Sequence, residues 1–99
     1  MINGWFVGDF IPNVVHTPSF EVAVKYYKKG ECEAAHYHKI STEITVISKG
    51  KVLMNNIEYK EGDIILIEPN EVTDFLALED TITTVVKLPS AKDDKYIKL

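Results

Sequence analysis

The chain has 99 residues, one cysteine and a net charge of −4 from 15 acidic and 11 basic side chains. This length fits one domain (residues 1–99) and leaves no room for a second catalytic domain. Because the charges are scattered and Cys32 has no partner, we expect no nucleic-acid partner, no internal disulfide and a reducing, cytoplasmic location. The longest apolar run falls well short of the roughly 20 residues that span a bilayer, so no membrane partner is expected.

Residues 1–19 mix aromatic side chains with glycines and prolines, which prevents a long helix. We predict an irregular N-terminal segment whose aromatic residues pack over one end of the core or into a subunit contact. His16 lies in this segment without a neighbour at metal-binding spacing, and we predict a surface histidine.

The next segments show the period of two that indicates β-strands. In Phe20–Tyr27, one face would carry Phe20, Val22, Val24 and Tyr26, and the other Glu21, Ala23, Lys25 and Tyr27. After a turn that ends at Gly30, strands are predicted over Glu33–His38 and Glu43–Ser48. Their β-branched and aromatic residues are typical of sheets.

The second half of the chain predicts further short strands separated by turn residues. Asn55-Asn56 suits a two-residue hairpin, because asparagine tolerates positive φ, and Ile64–Ile67 is predicted to be a strand buried on both faces. The remaining predicted strands are Val52–Met54, Ile57–Tyr59, Thr73–Leu78 and Thr81–Leu88. Residues 89–99 form a polar tail with at most a short edge strand around Tyr96 and Ile97. Since no segment has a helical period, we predict an all-β antiparallel sandwich or barrel over residues 20–88.

Three residues in the middle of the chain suggest a metal site. His36 and His38 are two apart, so in a strand their imidazoles point to the same face, about 6.6 to 6.8 Å apart along the backbone. Glu43 follows after four residues, which lets the chain reverse and place the carboxylate on a neighbouring strand. Two imidazoles and one carboxylate suit a divalent ion, with coordination positions left open for reaction.

This segment resembles the first motif of the cupin superfamily. That motif reads Gly, five residues, His, one residue, His, three or four residues, Glu, six residues, Gly, and it is matched without a gap. The matching residues are Gly30, His36, His38, Glu43 and Gly50. The resemblance implies a cupin-type antiparallel β-barrel, which is a double-stranded β-helix or jelly roll of the RmlC-like kind.

The second cupin motif is degenerate. It begins at Gly62, but Thr73 stands where the family has its third histidine and Ala77 replaces an asparagine. What remains is a set of two histidines and one carboxylate, the pattern of non-haem Fe(II) oxygenases, which could equally take Mn, Ni, Co or Zn. Asp74 would become a fourth ligand only if a bulge shifted the register, since strict alternation sends it to the opposite face from Thr73.

The resemblance implies a metal-dependent enzyme that acts on a small metabolite, of the dioxygenase, isomerase or lyase type. A non-catalytic binding or sensing protein is the alternative. A third possibility is a metal-free enzyme that uses the histidines as general base and acid, as sugar-nucleotide epimerases and isomerases of related fold do. Such enzymes present basic residues to a diphosphate, and the candidates here are only Lys25 and Lys39. The candidate catalytic or hydrogen-bonding residues are Tyr26, Tyr37, Tyr59 and Thr73. Because a short barrel leaves edges exposed, we also predict a homodimer formed through the Phe20–Tyr27 strand and the N-terminus.

Overall fold

The computed structural model describes residues 3–99, which form eleven strands and no helix. No described helix is therefore available to span a membrane. The strands are β1 (Trp5–Gly8), β2 (Val15–His16), β3 (Glu21–Tyr27), β4 (Cys32–Tyr37), β5 (Thr42–Lys49), β6 (Lys51–Met54), β7 (Ile57–Lys60), β8 (Ile64–Ile67), β9 (Thr73–Ala77), β10 (Thr81–Leu88) and β11 (Tyr96–Ile97). The all-β prediction is confirmed.

Two sheets pack face to face. The large sheet has the order β2-β1-β3-β10-β5-β8 and the small sheet the order β11-β4-β9-β6-β7. All pairs are antiparallel except β1 with β2. Strands β1 and β2 of the large sheet lie within residues 1–19, the segment that was predicted to be irregular. The polar tail adds the short strand β11 to the edge of the small sheet, where the sequence predicted one.

Turn residues fix the hairpins as the sequence predicted. Asn55 and Asn56 have φ values of 50° and 64° and connect β6 to β7. Gly50 has a φ of 97° between β5 and β6, and a Cβ added there would lie 2.5 Å from the carbonyl oxygen of Asp80. Position 50 therefore requires glycine both for its backbone conformation and for the close approach of the chain at Asp80.

The apolar core occupies one part of the space between the sheets. Its buried members are Ile47, Val52, Met54, Ile67, Phe75 and Ala77, with Tyr27, Tyr59 and Ile65 packed against them. The prediction that Ile64–Ile67 is buried on both faces was wrong. Strand β8 is the edge of the large sheet, and Ile64 and Leu66 are 69% and 56% exposed on its uncovered face.

The outer face of the large sheet is uncharged over four adjacent strands. Cross-strand register places Val24, Thr84, Val46 and Ile64 in one row and Val22, Val86, Ile44 and Leu66 in the next. Conversely, the inward positions of β3 carry Glu21, Ala23, Lys25 and Tyr27. The more polar side of this strand faces the interior because that part of the interior is a cavity rather than packed core.

Candidate metal centre

Strand β4 delivers the two histidines to one cavity between the sheets. His36 is the fifth residue of β4 and His38 follows directly after its end, and both side chains are buried. Their rings lie 5.5 Å apart at an interplanar angle of 80°. Tyr37 points the other way and stacks on Tyr96 with ring centroids 5.4 Å apart. The alternation expected from the sequence is therefore present.

Strand β5 brings the carboxylate across. Glu43 is its second residue, and one ligand atom from each of His36, His38 and Glu43 lies within 4.8 Å of the others. No other such group occurs among residues 3–99. The turn over residues 39–41 connects β4 in the small sheet to β5 in the large sheet, so Glu43 reaches the two histidines from the opposite sheet.

Backbone carbonyls fix the tautomers of both imidazoles. The Nδ1 atom of His36 is 3.0 Å from the carbonyl oxygen of Ala34, and the Nδ1 atom of His38 is 2.7 Å from that of Asp94. A carbonyl oxygen only accepts hydrogen bonds, so each Nδ1 carries the proton and donates it. In the neutral imidazoles the lone pairs then lie on Nε2, the arrangement typical of metal-binding histidines.

The Nε2 atom of His38 is the one buried side-chain nitrogen or oxygen without a hydrogen-bond partner in the described chain. It lies 3.3 Å from Glu43 Oε1, but the two groups are not aligned for a hydrogen bond. An orphaned buried polar atom is costly unless something binds it. Its lone pair faces a carboxylate and a second imidazole, so the donor set fits a divalent cation.

Glu43 is held as a carboxylate. Burial alone would raise its pKa, but the hydrogen bond from the Thr45 hydroxyl and the positive charge of Lys87 act in the opposite direction and lower the pKa. Thr45 Oγ1 donates to Glu43 Oε2 at 2.9 Å, which leaves Oε1 facing His38. The glutamate is therefore charged at neutral pH and able to act as a ligand.

Asp94 organises the turn from outside the motif. Its buried carboxylate accepts hydrogen bonds from the backbone N–H groups of Lys39, Ile40 and Ser41 at 2.9–3.1 Å, and its backbone carbonyl holds His38. Burial alone would raise the pKa of Asp94, but these donors lower it below its ordinary value. Sequence reasoning missed this residue because it lies in the polar tail, far along the chain from the histidines.

The cavity has a volume of about 700 Å³, within the range of small-molecule sites. Besides the three candidate ligands, its polar lining comprises Asn3, Lys25, Tyr26, Tyr27, Glu33, Thr45, Thr73, Thr83, Lys87 and Lys95. The apolar lining includes Trp5, Met54, Phe75 and Val85. The candidate ligands therefore face a space that can hold a small metabolite.

Solved structures similar to this chain share its two-sheet architecture. A Klebsiella pneumoniae subsp. pneumoniae protein with a double-stranded β-helix domain is 23% identical, with a TM-score of 0.75 over 85% of this chain and 74% of that chain. An RmlC-like cupin from Shewanella frigidimarina is 15% identical, with a TM-score of 0.71 over 78% and 72%. The chain has the cupin fold. The DMSP lyase DddQ from Ruegeria pomeroyi shares it too, at 15% identity and a TM-score of 0.77 over 93% of this chain and 48% of that chain. No protein-family profile and no curated protein sequence matches the chain.

Within this cupin fold, the degenerate second motif places Thr73 beside the candidate ligands. Thr73 is paired with His36 across β4 and β9, is buried and lines the cavity. Asp74 is on the opposite, exposed face, where its Oδ1 accepts a hydrogen bond from the backbone N–H of Asn55 at 2.8 Å. The register does shift here, between the Glu33–Phe75 and His36–Thr73 pairs, but the extra residue lies in β4. Asp74 therefore keeps the face opposite to Thr73 and is not brought to the candidate ligands.

The structure places the tyrosines that the sequence suggested in different surroundings. Tyr37 stacks outside the cavity and Tyr59 packs against the core, whereas Tyr26 contributes to the cavity lining although it is 75% exposed. Tyr27 enters the cavity, and its hydroxyl donates to Glu33 Oε2 at 2.7 Å. Burial and the nearby Glu33 carboxylate raise the pKa of Tyr27 far above its ordinary value, so this phenol keeps its proton.

Glu33 joins Tyr27 to the positive side chains of the cavity. Burial alone would raise the pKa of Glu33, but Lys25, the Tyr27 hydroxyl and Lys95 lower it below its usual range. The Nζ atom of Lys95 is 3.4 Å from Glu33 Oε1. Lys39, by contrast, is exposed and lies over the Tyr96 ring.

The remaining singled-out residues lie away from the site. His16 is exposed and bonds to Asp9 at 2.8 Å, as expected for a surface histidine. Cys32 is exposed and free. Neither contributes to the cavity lining.

Proposed function

We propose that this cupin-fold chain binds one divalent transition metal ion through His36 Nε2, His38 Nε2 and a Glu43 carboxylate oxygen, and acts on a small metabolite in the adjoining cavity. The observation that carries the proposal is the buried, unpartnered Nε2 of His38, which faces His36 and Glu43. Fe, Mn, Ni, Co and Zn all suit this donor set.

Bound there, the ion would act as a Lewis acid that polarises a substrate oxygen or activates water or O₂. The chain's own residues do the rest. Asp94 and Ala34 orient the imidazoles through their carbonyls, and Thr45 orients Glu43. The Tyr27 hydroxyl donates to Glu33 and can accept a hydrogen bond from a molecule in the cavity. A lyase of the same fold, DddQ, supports an enzymatic role.

Metal binding is tested by equilibrium dialysis of metal-free protein against Zn²⁺, Co²⁺, Ni²⁺, Mn²⁺ and Fe²⁺. We expect one ion per chain and a loss of binding of about tenfold or more in His36→Ala and His38→Ala. His16→Ala is the matched control, because it removes an imidazole from the surface, and it should bind like the wild type. Unchanged binding in His36→Ala would overturn the proposal.

A non-catalytic binding role is the second candidate, and the threonine at position 73 favours it. Without the third histidine of the cupin motif, an ion would be held by three protein ligands instead of four and would bind more weakly. A chain that does not retain the ion could still use the cavity to bind a small molecule. Ligand-induced thermal stabilisation without turnover would support this role. Turnover of the same ligand by metal-loaded protein would rule it out.

A further inference from the structure

Three lysines from separate parts of the chain converge on the cavity. Lys25 comes from β3, Lys87 from β10 and Lys95 from the segment before β11. Lys25 and Lys87 occupy inward-facing strand positions, where a charged side chain is costly unless something pairs with it. The partners of these lysines therefore indicate what the cavity is built to receive.

Two of the three lysines have carboxylate partners. Lys87 Nζ is 2.9 Å from Glu21 Oε1 in a nearly buried pair, and Lys95 pairs with Glu33. Lys25 has no carboxylate within ion-pair distance among residues 3–99. Its ammonium instead lies 5.2 Å from the centroid of the Trp5 ring, with Lys87 at 5.0 Å from the same ring. Glu33 is near enough for Lys25 to lower its pKa, although the two do not form an ion pair. Because cation–π contact is weaker than an ion pair, Lys25 retains the capacity to bind an anion.

The charge around the cavity points the same way. The three lysines are balanced by three carboxylates, those of Glu21, Glu33 and Glu43. A divalent ion bound as proposed would therefore leave an excess of two positive charges. This excess would exist inside a chain whose net charge is −4. Ligands of matching negative charge are then favoured over neutral ones.

The cationic groups suit a carboxylate better than a phosphate. The chain contains no arginine, so the bidentate guanidinium fork that often recognises phosphate is missing, and one free ammonium matches a single negative charge. Trp5 and Val85 line the same cavity and can contact a short carbon skeleton. We infer that the ligand of this cavity is a small organic carboxylate, whose anionic group is bound by the Lys25 ammonium beside the Trp5 ring. The inference names the substrate class of the proposed function and rests on it for the excess charge, whereas the unpaired Lys25 is independent of any metal.

Trp5 is the sole tryptophan and provides a local signal. We would titrate metal-free and Zn²⁺-treated protein with acetate, propionate, succinate and glutarate, each against its neutral amide, and follow Trp5 fluorescence. At least one acid should give a saturable change that its amide does not. Lys25→Met should weaken that binding by about tenfold, the effect of losing roughly 1.4 kcal/mol, and Lys25→Arg should retain it. Lys28→Met is the control, since Lys28 is exposed and does not line the cavity.

The outcomes separate this inference from the metal proposal. Equal responses to acids and amides in both forms of the protein, or unchanged acid binding in Lys25→Met, would overturn the inference even if Zn²⁺ binds. Acid-specific binding that depends on Lys25 would support it even if dialysis shows no metal uptake, in which case only the metal proposal fails.

Discussion

Replacing Asp94 with asparagine should destabilise the fold well beyond an ordinary surface substitution. The buried carboxylate accepts hydrogen bonds from three backbone N–H groups of the turn between β4 and β5. A hydrogen bond to a charged group contributes about 1.5–3 kcal/mol, and such contributions are not additive. Because asparagine keeps one acceptor oxygen, we expect the free energy of unfolding to fall by about 2–4 kcal/mol. That is a large share of the roughly 5–15 kcal/mol that stabilises a typical domain.

Urea denaturation followed by Trp5 fluorescence measures this loss. Asp93→Asn is the matched control, because Asp93 is exposed and has a positive φ of 54°, which asparagine also adopts. The control should change the free energy of unfolding by no more than about 0.5 kcal/mol. A loss in Asp94→Asn as small as that of the control would refute the role given to the carboxylate.

The same pair of proteins predicts a pH dependence. The pKa of Asp94 is lower in the folded chain than its ordinary value of about 3.9. Its stabilisation is therefore fully present above about pH 5 and is lost as the pH falls through the folded-state pKa. The gap in unfolding free energy between wild type and Asp94→Asn should be constant from pH 7 to about pH 5 and should narrow at lower pH. A gap that stays constant down to about pH 2 would contradict this explanation.

Three further predictions concern glycine geometry, the second motif and assembly. Gly50→Ala should lower the free energy of unfolding by about 1–3 kcal/mol more than Gly62→Ala in urea denaturation. Both positions have positive φ, but only at position 50 would the added Cβ contact other atoms. Equal losses in the two variants would contradict this. Thr73→His should tighten metal binding by about tenfold in dialysis by supplying a further imidazole to the cavity, and unchanged or weaker binding would show that position 73 does not reach the ion. The homodimer stays a prediction, and since β1 and β10 already pair with both edges of β3, we expect it to use the uncharged outer face of the large sheet. Light scattering at tens of micromolar should then show a dimer that Leu66→Asp dissociates and Ile57→Asp, equally exposed on the small sheet, does not; a monomeric wild type would count against it.

Local sequence patterns were sufficient to predict the candidate ligands. The period of two in β4 sets His36 and His38 on one face, and the short spacing to Glu43 leaves room only for a turn before the next strand. Each of these relations acts over a few residues, so it is visible in the sequence. The asparagine hairpin was predictable for the same reason, because backbone φ is a local property.

Features that depend on distant residues were not predictable. The apolar run Ile64–Ile67 is compatible both with a strand buried on both faces and with an edge strand. Only the sheet order shows that β8 is at an edge and that its outer face is uncovered. Similarly, alternation in β3 predicts that Val22 and Val24 share one face. It does not show that this apolar face is the outer one, or that Lys25 on the other face lines a cavity. Asp94 looks like any other charged residue of the tail until the fold places it under the turn beside His38.

The most direct test of the central claim is an anomalous difference map from crystals of the chain grown with Co²⁺. We expect one strong peak per chain, in contact with Nε2 of His36, Nε2 of His38 and a carboxylate oxygen of Glu43. A map with no peak at this position, or with cobalt bound only elsewhere, would contradict it.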